Sequence, residues 1–475
     1  MATDRTALWA VPAAAALLLW PALWNGYPIV FADSGTYLSQ AIEHYAGWDR
    51  PVFYSLFMLP LHATISVWPV IVAQALLAAW VLWLVAEALG LFAGAPGRVW
   101  GIAFVAGVGL LSACTWLPWL VCQLMPDLFT PLLVLAIWLL AWVPERLSPR
   151  QRVAMAALAG CMIATQMSSL PLACVLLALG AITSGARSGR LRPASVTIAT
   201  GSAPPRLSAG RSWLLIVLPP ALAVLGLCGV NLAAHKRFAI SPFGNVFLLA
   251  RVIYDGPGMA ALRQDCPARQ WCLCRFLDRF PANSDDFLWT EDSPLRRAGG
   301  PKVVSREAGA IITAALLADP LGEARAALGN GLEQLTRFAS GDGLNAWPIQ
   351  VSPVIERHFP PREQAEYAAA RQQTGSLAMP PVLAFLHRIF GLTGILCCAL
   401  LLPVAIRRRA ACTGLLLTVL VALPLSAMIT GSLSAPHDRY QARIMWLPPF
   451  VAALSTLCLR PQVSLRPRIP TRRPA

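Results

Sequence analysis

Long apolar runs separated by short polar stretches dominate the chain. A helix needs about 20 mostly apolar residues to cross a bilayer, and such runs recur along most of the sequence. The pattern predicts an all-α polytopic membrane protein with about ten transmembrane helices. We place the spans at residues 7–24, 67–89, 100–114, 128–143, 153–166, 170–183, 213–232, 382–406, 415–429 and 443–459.

The fifth and sixth predicted spans are short, and only Met167, Ser168 and Ser169 join them. A single long helix and a re-entrant pair are the alternatives. One helix would give nine spans and move every later segment to the opposite side. Ten spans with a cytoplasmic N-terminus place the arginine clusters of the even-numbered connections and of the tail in the cytoplasm, as the positive-inside rule requires, and the outward-facing run at residues 235–237 is an exception. These clusters are Arg98; Arg146, Arg150 and Arg152; Arg187, Arg190, Arg192, Arg206 and Arg211; Arg407, Arg408 and Arg409; and the tail arginines Arg460, Arg466, Arg468, Arg472 and Arg473.

This topology divides the chain into four parts. The third part holds 15 of the 23 acidic residues and is polar enough to fold outside lipid. Within it, residues 305–317 and 323–338 alternate apolar and polar positions at helical spacing and predict amphipathic helices. The parts are an N-terminal transmembrane module (1–232) with an outward loop (25–66), a mainly helical extracytoplasmic segment between spans 7 and 8 (233–381), a C-terminal transmembrane module (382–459) and a basic cytoplasmic tail (460–475).

Composition agrees with a membrane protein. The chain is 57% hydrophobic and 13% charged, whereas soluble domains carry about 25% charged residues. The net charge is +15, and almost all of the positive charge is arginine, much of it in short clusters between apolar runs, so we expect no nucleic-acid partner. The first apolar run is long for a signal peptide and no small-x-small site follows it near Asn25, which predicts an uncleaved first span. We expect a multi-pass protein of the bacterial inner membrane with both termini cytoplasmic.

Most of the 12 cysteines lie in apolar spans, where they act as small hydrophobic residues. Cys266, Cys272 and Cys274 lie instead in the extracytoplasmic segment. An oxidising periplasm favours a disulfide from Cys266 to Cys272 or Cys274. A zinc site is the alternative, but it lacks a fourth ligand nearby.

Two acids have unusual surroundings. Asp33 follows the first span among apolar and aromatic residues, and Asp127 precedes the apolar run of the fourth span. Ionisable side chains near membrane depth are costly and usually functional. Helix capping is the structural alternative, because Asp is a favoured N-cap. Residues 34–45 and 51–62 predict helices along the membrane surface after Asp33.

Basic residues predicted on the same side are candidate anion ligands. Arg50 lies in the first loop, and the last outward loop contains His437, Arg439 and Arg443. Arginine pairs bidentately with phosphate oxygens, so this set predicts a phosphate clamp. Snorkelling to the interface is the alternative for Arg443. Further basic residues on this side, which suit either a head-group site or a plain interface anchor, are His62 and residues 235–237.

The arrangement resembles the GT-C superfamily of membrane glycosyltransferases. The resemblance covers the spans and their order, about two thirds of the chain, and excludes the extracytoplasmic segment. It implies transfer of a sugar from a polyprenyl-phosphate donor to a glycan, lipid or protein acceptor on the outer face. The stretches that carry it are Asp33-Ser-Gly-Thr-Tyr37, Pro126-Asp127, the short paired spans around residues 163–172, and Asp438-Arg-Tyr440 followed by Trp446-Leu-Pro448-Pro449.

The resemblance also implies roles for individual residues. Asp33 would be the general base, and Asp127 would position the acceptor or hold a divalent metal. Protein O-mannosyltransferases carry an acidic pair after the first span, whereas Ser34 follows Asp33 here. Metal use by Asp33 and Asp127 therefore stays open, and no other cofactor is implied. The substrate- and phosphate-binding residues would be Arg50, Tyr37, His437, Arg439, Tyr440 and Arg443.

Two other classes of protein fit a chain with many spans. A transporter or flippase for a glycan or lipid is the first, but transporters tend to show internal repeats and broken helices near the bilayer midplane. We find no internal repeat, and few charges fall within spans, Glu87 being an exception. A non-catalytic membrane assembly protein is the second alternative.

Overall fold

The computed structural model describes residues 2–92, 96–190 and 209–460. These residues are mainly helical and contain no β-strand, only an isolated parallel bridge between Ile29 and Gln123. Most of the predicted tail at 460–475, and most of the connection between predicted spans 6 and 7, lie outside the described residues.

The helices follow one another with short connections. The first part contains α1 (Ala2–Ala16), α2 (Trp20–Asn25), α3 (Ala32–Glu43), α4 (Phe53–His62), α5 (Trp68–Ala88), α6 (Gly97–Cys114), α7 (Leu117–Cys122), α8 (Phe129–Ala141), α9 (Pro149–Thr165), α10 (Ser169–Arg190) and α11 (Ala209–His235). The intervening segment (residues 233–381) contains α12 (Gly244–Asp255), α13 (Gly258–Arg269), α14 (Ser284–Trp289), α15 (Pro294–Arg297), α16 (Pro301–Ala318), α17 (Pro320–Thr336), α18 (Pro348–His358) and α19 (Pro361–Ala369). The last part contains α20 (Pro381–Arg407), α21 (Thr413–Leu433), α22 (Asp438–Ala442) and α23 (Leu447–Leu459). Three 3-10 segments of the described residues lie earlier in the chain, at Pro126–Leu128, Pro144–Arg146 and Cys272–Arg279.

Within the described residues, seven helical stretches are long and apolar enough to cross a membrane. This agrees with the prediction of a helical, multi-pass membrane protein, whereas the count of ten stays a prediction. The three other predicted spans correspond to shorter helices, of which two are clearly apolar, at Pro126–Ala141 and Ser169–Thr183. The seven stretches are Arg5–Asn25, Trp68–Ala88, Gly97–Cys114, Trp213–His235, Pro381–Arg407, Thr413–Leu433 and Asp438–Leu459.

The predicted fifth and sixth spans are two helices and not one. Helix α9 ends at Thr165 and α10 begins at Ser169, and a non-helical link separates them. The α9–α10 link (residues 166–168) is half-buried and carries the polar side chains of Gln166 and Ser168.

Helix α8 forms the centre of the bundle. All 13 of its residues are buried, and it packs against α5, α9, α10, α11 and α21. A helix that is apolar on every side is expected to be surrounded by other helices. The non-helical backbone that precedes α8 is likewise enclosed by protein, which satisfies the rule that irregular backbone is kept away from lipid tails.

The intervening segment has two halves with different packing. The first half, α12 to α16, surrounds its own apolar core. There Cys266 is disulfide-bonded to Cys274, one of the two pairings that the sequence left open, and Cys272 is the free thiol. A buried ion pair between Arg251 and Glu323 ties this half to α17.

The second half, α17 to α19, packs onto the membrane helices. Helix α17 lies along α21, where Gly431 allows the backbone of Asn330 to approach closely. Helix α18 packs on α3, and a side chain at Gly35 would collide with the carbonyl of Gln350. The intervening segment is therefore attached to the same loops that carry the candidate site residues.

Candidate functional site

Backbone hydrogen bonds bring the first loop beside the start of α8. The Ile29 amide donates to the Cys122 carbonyl at 2.9 Å, and the Leu124 amide donates to the Ile29 carbonyl at 2.9 Å. The Ser34 hydroxyl donates to the Leu124 carbonyl, also at 2.9 Å. These contacts place Asp33 and Asp127 on neighbouring backbone segments although they are far apart in the sequence.

Asp33 does not cap a helix, so the capping alternative is wrong for this residue. The N-cap of α3 is Phe31, whose amide donates to the Ser34 hydroxyl oxygen, and Asp33 lies within the first turn. The Asp33 side chain is 12% exposed and accepts a 2.7 Å hydrogen bond from Arg50 Nη2. Its other oxygen lies 3.8 Å from Arg439 Nη1. Burial acts to raise the pKa of Asp33, but the charges of Arg50 and Arg439 outweigh it and hold that pKa below its ordinary value.

Asp127 is the more deeply buried acid, with its side chain 2% exposed. Its Oδ1 accepts hydrogen bonds of 3.0 Å from Arg443 Nη1 and from Gln166 Nε2. Its Oδ2 has no hydrogen-bond partner among the residues that the structure describes and lies 3.9 Å from Arg439 Nε. Arg439 is therefore positioned between the two carboxylates, within 4 Å of each.

The arginines stack on aromatic rings as well as pairing with acids. The Arg439 guanidinium lies 4.2 Å from the ring centre of Phe31 and 5.3 Å from that of Tyr440. The Arg443 guanidinium lies 5.6 Å from the Tyr440 ring. Cation–π contacts of this kind hold guanidinium groups in place while leaving N–H donors for a ligand.

We call this group the charge cluster. With three arginines and two aspartates it carries one net positive charge in its ionised form. The side chains of Arg439 and Arg50 are 16% and 19% exposed, so they are the members that a ligand can reach most easily. A partly buried cluster with excess positive charge favours an anionic ligand. Its members are Asp33, Arg50, Asp127, Arg439 and Arg443.

Other predicted site residues lie at the margin of the cluster. Tyr37 is buried with its ring edge-on to Tyr54, and burial raises the pKa of the Tyr37 phenol, which stays a neutral hydroxyl. His437 packs edge-on against Tyr440, 3.7 Å from Asp285. Neither Tyr37 nor His437 has a hydrogen bond to the charge cluster among those seen in the described residues.

The remaining basic residues of this side have structural contacts. His62 accepts a hydrogen bond from the Thr64 amide. His235 contacts the Gly47 carbonyl at 3.2 Å, and Arg237 donates to the Pro242 carbonyl at 3.0 Å. They shape the loops around the site and do not enter the charge cluster.

The sequence did not single out Gln166, which proves central to the cluster. Besides donating to Asp127, Gln166 accepts from Arg443 Nη1 at 2.8 Å and from the Thr130 hydroxyl at 2.8 Å. The Ser168 hydroxyl lies 3.4 Å from Arg443 Nη2. The available signal was the position of these residues, a short polar break between two apolar runs.

The sequence analysis also missed two further glutamines, each of which holds one loop of the site through two hydrogen bonds to its backbone. The Gln334 side chain, fully buried, accepts from the His437 amide at 2.9 Å and donates to the His437 carbonyl at 2.8 Å. The Gln372 side chain accepts from the Val30 amide at 3.0 Å and donates to the Val30 carbonyl at 2.7 Å. Both glutamines belong to the intervening segment, so this segment fixes the backbone that carries Arg439 and the backbone that leads to Asp33.

The side chains of the charge cluster do not fit a metal site. Among the described residues, no group of three or more His, Cys, Asp or Glu side chains is arranged to hold a metal ion. Each carboxylate oxygen of Asp33 and Asp127 faces a guanidinium group within 4 Å. Hard divalent cations require several oxygen ligands, whereas the neighbours of these oxygens are positively charged.

An apolar groove of about 380 Å³ adjoins the site between α3, α4 and α11. Tyr45, Leu56 and Leu59 are among its lining residues, and Leu56 is half exposed. A smaller cavity of about 30 Å³ includes Arg50 and shares Ala46, Val52 and Val230 with the groove. The apolar groove therefore leads towards one arginine of the charge cluster.

Comparison of this chain with protein-family models, with curated proteins and with solved structures finds no match.

Proposed function

We propose that the protein is a membrane glycosyltransferase that moves a sugar from a polyprenyl-phosphate donor to an acceptor on the outer face of the membrane. The observation that carries the proposal is the charge cluster: Arg439 lies between Asp33 and Asp127, with Arg50 and Arg443 as their hydrogen-bonded partners. Such a cluster offers cations for a phosphate and a carboxylate for a hydroxyl at the end of an apolar bundle.

The donor phosphate would bind the exposed sides of Arg50 and Arg439. Arginine forms strong, often bidentate bonds with phosphate, and preorganised cations stabilise a leaving group as its charge develops. The same two arginines pair with Asp33. A bound phosphate would compete for their positive charge and so weaken their interaction with the Asp33 carboxylate. Donor binding would in this way prepare Asp33 to act as a base.

The chemical step would be a single inverting displacement. Asp33 takes the proton of the acceptor hydroxyl. The acceptor oxygen forms a bond to the anomeric carbon, while the bond from that carbon to the phosphate oxygen breaks. The electron pair leaves with the polyprenyl phosphate, whose charge is met by Arg50 and Arg439. Asp127, held by Arg443 and Gln166, keeps Arg439 in place.

The apolar groove supports a lipid-linked donor. Its Leu and Val side chains suit a polyprenyl chain, and it leads from the outer end of α11, a candidate membrane helix, towards Arg50. A nucleotide sugar would use neither the groove nor an outward-facing site, since its supply is cytoplasmic.

The proposal depends on ten spans in a bacterial inner membrane with both termini in the cytoplasm. Reporter fusions after Arg190 are expected to give a cytoplasmic signal, and fusions within residues 284–300 an extracytoplasmic one. A fusion after Leu459 tests the C-terminal end in the same way. An extracytoplasmic signal at Arg190 would contradict the ten-span topology and move the charge cluster to the wrong side.

The activity is tested with purified protein in liposomes. Polyprenyl-phosphate sugars and nucleotide sugars, each radiolabelled, are supplied with panels of glycan, lipid and protein acceptors. We expect transfer from the lipid-linked donors only. Absence of transfer from every donor, together with flux of labelled glycan or lipid across the liposome membrane, would favour a transporter. Absence of both would favour an assembly protein.

A further inference from the structure

One face of α14 lies beside the charge cluster. Asp285 and Trp289 are four residues apart, which places them on the same side of a helix. Asp285 lies 3.7 Å from His437, in the loop that carries Arg439. The Arg50 guanidinium lies 5.4 Å from the ring centre of Trp289. The intervening Phe287 and Leu288 are buried in the core of the first half of the intervening segment.

Trp289 belongs to an aromatic group that joins the first loop to the first half of the intervening segment. Trp48 stacks on Phe247 with ring centres 5.5 Å apart, and Trp289 lies 5.8 Å from Trp48 and 6.0 Å from Phe247. Trp289 remains 39% exposed. Its ring lies beside the charge cluster through Arg50, and an aromatic ring that is partly open beside polar groups can stack on a ligand.

We infer that this surface receives the acceptor, and that the acceptor is an uncharged carbohydrate; the inference rests on the proposed function. The face of an indole ring is electron-rich, so it attracts the weakly positive C–H bonds of a pyranose. A carboxylate such as Asp285 accepts hydrogen bonds from sugar hydroxyls. Trp289 contacts Arg50, and Arg50 holds Asp33 at 2.7 Å, so a sugar on this ring is close to the base.

Charge also distinguishes the acceptor surface from the donor surface. Asp285 and Asp292 have side chains 53% and 84% exposed, and Asp286 and Glu291 lie between them in the sequence. Asp292 pairs with Arg297 at 3.3 Å, but the four acids outnumber Arg296 and Arg297, and the net negative charge would repel an anionic glycan or phospholipid. None of the residues that line the apolar groove, all in the described part of the chain, belongs to α14. Two substrates can therefore approach the cluster from different sides, with Arg50 between them.

The experiment measures acceptor and donor KM separately in liposomes. The acceptor probes are octyl glycosides of neutral hexoses, a peptide rich in serine and threonine, and phosphatidylethanolamine. Trp289→Ala is expected to raise the KM for the octyl glycosides about tenfold, the ratio that corresponds to ~1.4 kcal/mol of lost binding. The donor KM and kcat should change less than about twofold, and Trp289→Tyr should restore most of the affinity. Asp285→Asn should raise the same acceptor KM by a smaller factor.

Trp213 supplies the matched control, because it is 57% exposed and lies at the opposite end of α11 from the site. Trp213→Ala should leave both KM values unchanged. Equal rises in donor and acceptor KM for Trp289→Ala would indicate a merely structural ring and overturn the inference. So would an unchanged acceptor KM, or wild-type transfer only to the peptide or the phospholipid. Absence of wild-type transfer to any acceptor would instead contradict the proposed function itself.

Discussion

Replacing Asp33 with asparagine is expected to lower kcat for sugar transfer by about 10²–10⁴, the range associated with loss of a general base. Asparagine has nearly the same shape and can still accept the Arg50 hydrogen bond, which is 2.7 Å long in the wild type. It cannot take a proton from the acceptor. The measurement is the initial rate at saturating donor and acceptor, with the elution profile of the detergent-solubilised protein as the check on folding.

Asp49→Asn is the control for this variant. Asp49 lies beside Arg50 in the sequence, and burial raises the pKa of its carboxyl. It has no hydrogen bond or ion pair with Arg439 among the contacts of the described residues. We expect Asp49→Asn to stay within about tenfold of the wild-type rate. A collapse of transfer in Asp49→Asn with normal transfer in Asp33→Asn would assign the base to Asp49.

The same model predicts the direction of a pH effect. In the free protein the pKa of Asp33 is lowered by Arg50 and Arg439, so its carboxylate is ionised down to pH values below the ordinary range. A bound phosphate takes part of that positive charge, which raises the pKa. The acid limb of kcat, which reports the bound complex, should therefore lie at higher pH than the acid limb of kcat/KM, which reports the free enzyme. Coincident limbs would mean that the phosphate does not engage these arginines.

Apolar runs were enough to predict the helical class of the protein. The arginine clusters led us to expect Asp33, Arg50, Arg439 and Arg443 on one side of the membrane; the four side chains do lie together, and the side that they face stays a prediction. The side of the membrane on which a segment lies depends on the order of apolar runs and charged connections along the chain, so it can be predicted without any three-dimensional contact. The number of spans is harder, because α8 has only 13 residues and is buried on every face. Composition alone does not separate a short buried helix from a span.

The contacts that hold the site could not be predicted in the same way. Gln372 bonds to Val30, 342 residues away, and Gln334 bonds to His437, 103 residues away. Buried amides in irregular segments have no periodicity, so nothing in the local sequence marks them. Gln166 was more accessible to prediction, because it interrupts two apolar runs at a depth where an unpaired polar group is costly. Its partners, Asp127 and Arg443, emerge only once α8, the α9–α10 link and α22 are packed together.

Replacing Arg443 with alanine is expected to damage folding as well as transfer. The change leaves Asp127, 2% exposed, with Gln166 as its hydrogen-bond donor and with Arg439 Nε still 3.9 Å away. Removal of one partner of a buried ion pair costs ~3–5 kcal/mol. We expect a clear fall in the thermal unfolding midpoint in detergent. Arg337→Ala is the control, because the Arg337–Glu333 pair is about half exposed and contributes at most ~1 kcal/mol.

The double variant Arg443→Met with Asp127→Asn separates stability from function. Removing both charges of a buried pair is often neutral, because no uncompensated ion remains. The unfolding midpoint should therefore return towards that of the wild type. Transfer should stay at least about tenfold reduced, since Arg439 loses the carboxylate that orients it towards the leaving phosphate. Full recovery of transfer along with stability would show that the pair only supports the fold, and the proposed role of Asp127 and Arg443 in the site would be wrong.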